Sequence, residues 1–88
     1  MLLDLNAYET FVIDFQTSVV DMRLKNPIPG RLYTFVMRQD AKGNHRLQWA
    51  SDAHNGMMLN PTPRSVTVQT FIAAKDGNLY AVPPGTWT

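Results

Sequence analysis

The chain contains no cysteine. Disulfide bridges and thiolate metal sites are therefore excluded, and either redox compartment suits it. It also lacks any apolar run near the roughly 20 residues of a membrane helix. Its start, Met1-Leu2-Leu3-Asp4, has no basic stretch leading into a long apolar core, so no signal peptide is expected. There is no block of like charge. Arg23, Lys25, Arg31, Arg38, Lys42, Arg46, Arg64 and Lys75 stand singly, and the formal net charge is +1. Neither a nucleic-acid nor a membrane partner is expected on that pattern. The five glycines are isolated from one another, so no phosphate loop is present, and no Gly-x-Ser-x-Gly occurs. His45 and His54 are the only histidines, and no third ligand stands at metal-site spacing. The carboxylates are Glu9, Asp4, Asp14, Asp21, Asp40, Asp52 and Asp76. Asp14 and Asp21 could face each other across a first hairpin, beside Arg23, where solvated charge explains them better than glycosidase chemistry. No enzyme activity, cofactor or metal is expected.

What is present is a chain of 88 residues, 44% hydrophobic and 17% charged. That composition suits one globular domain over residues 1–88, with a short N-terminal arm (1–6) and a Pro-rich tail (83–88). Domains this small leave much apolar surface uncovered, and without disulfides or metal the remaining reinforcement is oligomerisation.

The dominant pattern has period two. Between Thr10 and Phe15, Phe11, Ile13 and Phe15 share one face, and Val12 and Asp14 the other. From Ser18 to Leu24, Val20, Met22 and Leu24 alternate with Val19, Asp21 and Arg23. From Arg31 to Arg38, Tyr33, Phe35 and Met37 alternate with Leu32, Thr34, Val36 and Arg38. Arg46-Leu47-Gln48-Trp49 continues the pattern, and Ser65 to Ala73 is rich in Val, Thr, Phe and Ile. These runs predict half-buried strands. Gln16-Thr17-Ser18, Asn26-Pro27-Ile28-Pro29-Gly30, Ala41-Lys42-Gly43-Asn44 and Asn60-Pro61-Thr62-Pro63 separate them with turn residues. Lys75-Asp76-Gly77-Asn78 carries the Asp-Gly signal of a type I′ hairpin. Gly30, Gly43, Asp76 and Gly77 are the expected structural turn positions. The expected fold is all-β, a small antiparallel β-sandwich or jelly roll of about six to eight short strands.

The outward faces are not wholly polar. Val12, Val19, Leu32 and Val36 lie opposite the presumed core and are the candidate subunit-interface residues. Single exposed aliphatics are also ordinary on protein surfaces. Tyr33 and Phe35 are expected in the core, whereas Trp49 and Trp87 are less constrained and could meet a sugar or a neighbouring subunit. Leu2, Leu3 and Leu5 in the arm, with Trp87 in the tail, are candidates for docking onto a partner by strand or plug addition.

The stretch Asn26-Pro-Ile-Pro-Gly-Arg-Leu-Tyr-Thr-Phe-Val-Met-Arg-Gln-Asp-Ala-Lys-Gly-Asn-His-Arg-Leu-Gln-Trp49 resembles a β-sandwich module of tailed-phage virion structural proteins. In that module a strand ends at Asn-Pro, a Pro-Gly-Arg turn follows, and a Tyr-Thr strand runs into Gln-Asp-Ala-x-Gly. Pro61-Thr-Pro-Arg-Ser-Val-Thr-Val-Gln-Thr-Phe71 is similar to its proline-started strand, and Lys75-Asp-Gly-Asn-Leu-Tyr80 to its closing hairpin. The resemblance runs from about Asn6 to Val82. Gly-Asn-His stands where a second glycine and small polar residues are usual, and the stretch after Trp49 is short and methionine-containing. The resemblance implies a virion protein of fibres, spikes or head decorations, usually trimeric, with no catalytic residues to carry over. A chain of this size, holding the module alone, is expected to be a capsid decoration (cement) protein. It would be made in the host bacterial cytoplasm and would pair as a homotrimer on the outer surface of the major capsid protein or another virion protein. The alternatives are a tail fibre, spike or adaptor module, with host-surface glycan as a candidate ligand, and a free carbohydrate-binding or host-interaction domain outside any virion.

Overall fold

A computed structural model describes residues 1–20 and 22–82, and the backbone of 86–87. Among these residues there are eight strands and no helix: β1 (Leu2–Asp4), β2 (Thr10–Phe15), β3 (Arg23–Lys25), β4 (Leu32–Gln39), β5 (Ala53–His54), β6 (Val66–Ala73), β7 (Leu79–Ala81) and β8 (Thr86–Trp87). The larger sheet runs β2-β4-β6-β7-β5, and β8 pairs with β6 beyond the end of β7. The smaller sheet is β1 with β3.

The expected all-β class holds, and the expected wholly antiparallel order does not. β2 runs parallel to β4, β1 to β3 and β5 to β7, while β6 is antiparallel to β4, β7 and β8. β2 and β3 therefore form no hairpin. A parallel neighbour needs a crossover of about a dozen residues or more, and residues 16–31 provide it, carrying β3 across the core on the way. Asp14 meets Arg38, its register partner on β4, and Asp21 lies outside the described residues.

Strand register places every second side chain on one side of the large sheet. Ile13 and Phe15 on β2, Tyr33, Phe35 and Met37 on β4, and Phe71 and Ala73 on β6 are all buried. The expected inward set on β2 and β4 is thus confirmed. Phe35 sits at its centre: its ring stacks on Phe11 at 5.2 Å and meets Trp49 and Phe71 edge-on at 5.3 and 5.8 Å. Each fully buried ring contributes about 2–3 kcal/mol relative to exposure. The crossover and the long loop of residues 40–65, which carries β5, close this core from the other side through Met22, Leu24, Leu47 and Leu59, together with Leu5 just after β1.

Two local expectations are corrected. From Ser18 to Leu24 the alternation slips: Met22 and Leu24 are buried, but Val20 is 69% exposed, and Val19 packs against the core. The reason is a single parallel bridge between Val19 and Leu47, in which Val19 donates to Arg46 O and accepts from Gln48 N. That bridge turns Val19 inward and removes it from the candidate interface. Leu47 is the one bridged residue of the predicted Arg46–Trp49 strand. The Asp-Gly hairpin is also not type I′, because only Gly77 of its central residues has positive φ. Gly77 N bonds Ala74 O and Ala74 N bonds Asn78 O, the pattern of a type I turn followed by a glycine bulge.

Candidate interaction surface

The outward side chains of the large sheet form aligned rows. Val12, Val36 and Val68 are register partners across β2, β4 and β6. Thr10, Thr34 and Thr70 make the next row, with the Thr34 and Thr70 hydroxyls 3.1 Å apart. Leu32, Ile72, Tyr80 and His54 make a third, across β4, β6, β7 and β5. Tyr80 and His54 stack there at 5.1 Å. Val12 is 58% and Leu32 52% exposed, and Ile72, Tyr80 and Val82 are also open to solvent. The face is thus apolar and threonine-lined across four strands.

Its charges are paired. At one end Asp14 accepts from Arg38 through both oxygens, at 2.6 and 2.9 Å. The hydrogen bonds from Arg38 hold the Asp14 carboxyl below its ordinary value and raise the guanidinium. Near the other end Arg31 Nε lies 3.3 Å from Glu9 Oε1.

Of the candidate interface residues, the fold brings Val12 and Val36 side by side and puts Leu32 on the same face. Val68, Ile72 and Tyr80 complete the surface. For Val68 and Ile72 the signal in the sequence was the even phase of the alternation through β6. The docking candidates fare differently. Leu5 is fully buried and Leu3 packs on the core, because β1 is paired with β3. The expected free N-terminal arm is therefore a strand of the fold, and only Leu2, 57% exposed, is open to a partner. The Trp87 backbone pairs with Thr67 in β8, so this part of the tail is regular structure. The rest of the tail, residues 83–85 and 88, lies outside the described residues.

The expected turn positions are built as turns. Gly30, Gly43 and Gly77 have φ of +84°, +67° and +86°, and Asp76 Oδ1 accepts from Asn78 N. Gly43 is also crowded: a Cβ there would lie 2.7 Å from Pro63 N and 2.8 Å from Pro61 O.

An open cleft of about 520 Å³ lies between Asn44, His45 and Arg46 on one side and Met58, Leu59 and Pro61 on the other. Beside it His45 Nε2 is 2.9 Å from Asp40 Oδ1. The same oxygen accepts from Lys42 N and Gly43 N, so Asp40 is used in building the turn. Among the described residues no three His, Asp or Glu side chains gather to hold a metal ion. Trp49 donates its indole N–H to Met57 O and packs edge-on against Phe71 at 4.8 Å. No family model, curated protein or solved structure matches the chain.

Proposed function

We propose that this chain is a phage virion structural protein that assembles as a homotrimer and decorates the outer surface of the capsid. The observation that carries the assembly part is the outer face of the large sheet. Its other side already fills the core, and on the outer side Val12, Leu32, Ile72 and Tyr80 stay open to solvent among the described residues, with Val36 and Val68 half-buried between them. Apolar surface of this extent marks a contact. With Asp14 and Glu9 each matched by an arginine, a second copy can approach without stranding a charge. The virion part rests on the sequence resemblance of residues 26–49, 61–71 and 75–80. In this reading the β1–β3 sheet is the reduced second layer of a β-sandwich. A decoration protein stabilises a shell because it binds the assembled state and not free subunits.

The glycan-binding alternative needs an open aromatic platform. Trp49, its first candidate, is engaged by Met57, Phe35 and Phe71, which weighs against it.

Cryo-electron microscopy of purified particles tests the virion assignment, with three-fold density expected on the capsid exterior. Particles that lack the protein would overturn it. Sedimentation equilibrium of the free protein tests the assembly separately, and a mass of three chains is expected.

A further inference from the structure

β2 ends the large sheet, and its second edge has no strand beside it among the described residues. The parallel ladder determines which groups that edge offers. Thr34 N bonds Glu9 O while Thr34 is the register partner of Thr10. In a parallel ladder this directs the backbone groups of the odd-numbered β2 residues toward β4, and those of Thr10, Val12 and Asp14 outward. The strand reads Thr-Phe-Val-Ile-Asp-Phe. It holds no proline, lysine or glycine to blunt the edge, and its one charge, Asp14, is bound to Arg38.

We infer that β2 pairs antiparallel with β2 of a second copy about a two-fold axis, joining two large sheets into one. A two-fold axis perpendicular to the sheet keeps inner faces on one side, so outward residues must oppose outward residues. Placing Val12 opposite Val12 satisfies this and sets Thr10 opposite Asp14 of the second copy. All three outward residues then fall in hydrogen-bonded pairs, giving about six backbone bonds. Shifting by two residues, to Ile13 on Ile13 or Phe11 on Phe11, keeps about four. The chosen register also avoids like charge. Asp14 faces a threonine and remains bound to Arg38 of its own chain. The backbone groups of this edge are distinct from the outer face, to which Thr10 and Val12 lend only their side chains. A trimer built on the face leaves the edge free to link one trimer to the next.

The native chain has no cysteine, so single cysteines report the contact cleanly. The α-carbons of a hydrogen-bonded antiparallel pair lie about 5.5 Å apart, within disulfide range. Under diamide oxidation Val12→Cys is expected to form covalent dimers at least tenfold faster than Val20→Cys, which is similarly exposed on the crossover. Thr10→Cys is expected to couple to Asp14→Cys in a mixture and not to itself. Val12→Pro removes one outward N–H and no bond to β4. It is expected to raise the concentration needed for two-fold association at least tenfold in sedimentation equilibrium, with an unchanged circular dichroism spectrum. Equal rates for Val12→Cys and Val20→Cys would overturn the inference. So would a trimer or monomer whose mass Val12→Pro leaves untouched at every concentration; the trimer would leave the proposed face contact standing.

Discussion

Gly43 and Gly30 are both glycines at positive φ, yet they differ in what surrounds them. Nothing lies within 4 Å of a Cβ built on Gly30, whereas the Pro61 and Pro63 backbones crowd one built on Gly43. Gly30→Ala is therefore expected to cost about 1–2 kcal/mol, the left-handed penalty alone. Gly43→Ala is expected to cost at least about 2 kcal/mol more, because backbone must move. Urea unfolding of the two variants reads the difference directly. The turn role of both was legible, since glycine between alternating runs marks positive φ. The Pro61 contact was not, because it joins residues whose approach only the folded loop defines. Asp40 makes a second case at this scale. Partial burial pushes its carboxyl up, but the hydrogen bonds from His45, Gly43 and Lys42 outweigh this and hold it below the ordinary 3.8. A carboxylate depressed in the folded state contributes stability that is present above its unfolded value and lost as pH falls through the folded one. Asp40→Asn is thus expected to flatten the loss of stability from about pH 4 downward. Asp4, Asp14 and Asp76 are depressed too and preserve part of that slope. Thermal melts of both proteins between pH 7 and pH 2 check it, and parallel curves would remove Asp40 from the account.

Strand positions were more legible than strand partners. The limits of β2 coincide with the alternating run that predicted it, and β4 and β6 were each foreseen within a residue or two. Alternation reports which side is buried, and that is the same for parallel and antiparallel neighbours, so the parallel pairing of β2 with β4 left no mark. Polar residues in the inward phase did leave one. Gln39, Thr67 and Gln69 occupy core-facing positions and are buried, and each is there to hold the long loop. Gln39 donates to His45 O and Asn60 O, Thr67 Oγ1 accepts from Asn60 N, and Gln69 Oε1 accepts from Met57 N. Met57 O in turn accepts from Trp49, whose ring lies over Gly56 with no room for a Cβ. An element without regular structure is thereby fixed by side chains of two neighbouring strands. Replacing Gln69 with leucine keeps the volume and strands the Met57 amide, at an expected cost of about 1–3 kcal/mol. Amide exchange at Met57 should accelerate well beyond that at Phe35 in the central strand. Equal changes at both would mean that the loop opens only with the whole domain.

At the scale of the whole molecule, one large sheet carries two unlike surfaces. The inner one is closed by the crossover and the loop, which together supply Met22, Leu24, Leu47 and Leu59. The outer one runs along a body 38 Å in its longest extent, and Val12, Leu32, Ile72 and Tyr80 on it are open to solvent among the described residues. The sequence carried half of this contrast. Val12, Leu32 and Val36 could be read as outward and apolar, but their continuity with Val68, Ile72 and Tyr80 depends on the order of strands. That continuity decides where a charge does most harm. Ile72 lies between Leu32 and Tyr80 in its row, two strands away from the β2 edge. Ile72→Lys puts an unpaired ammonium into the middle of the face at a position that is itself open to solvent. Its effect on folding should stay within about 0.5 kcal/mol, as for ordinary surface changes. Its effect on assembly should be large, because every copy in a symmetric contact brings the same charge to be desolvated. Trimer dissociation is expected at concentrations at least tenfold higher than for the native chain, with an unchanged melting curve at concentrations where both are monomeric. Sedimentation equilibrium separates this from the edge contact: Ile72→Lys should abolish three-fold association and leave cysteine coupling at position 12 intact. If the mass of the native assembly survives the lysine, the outer face is not the contact, and the copies must meet through another surface.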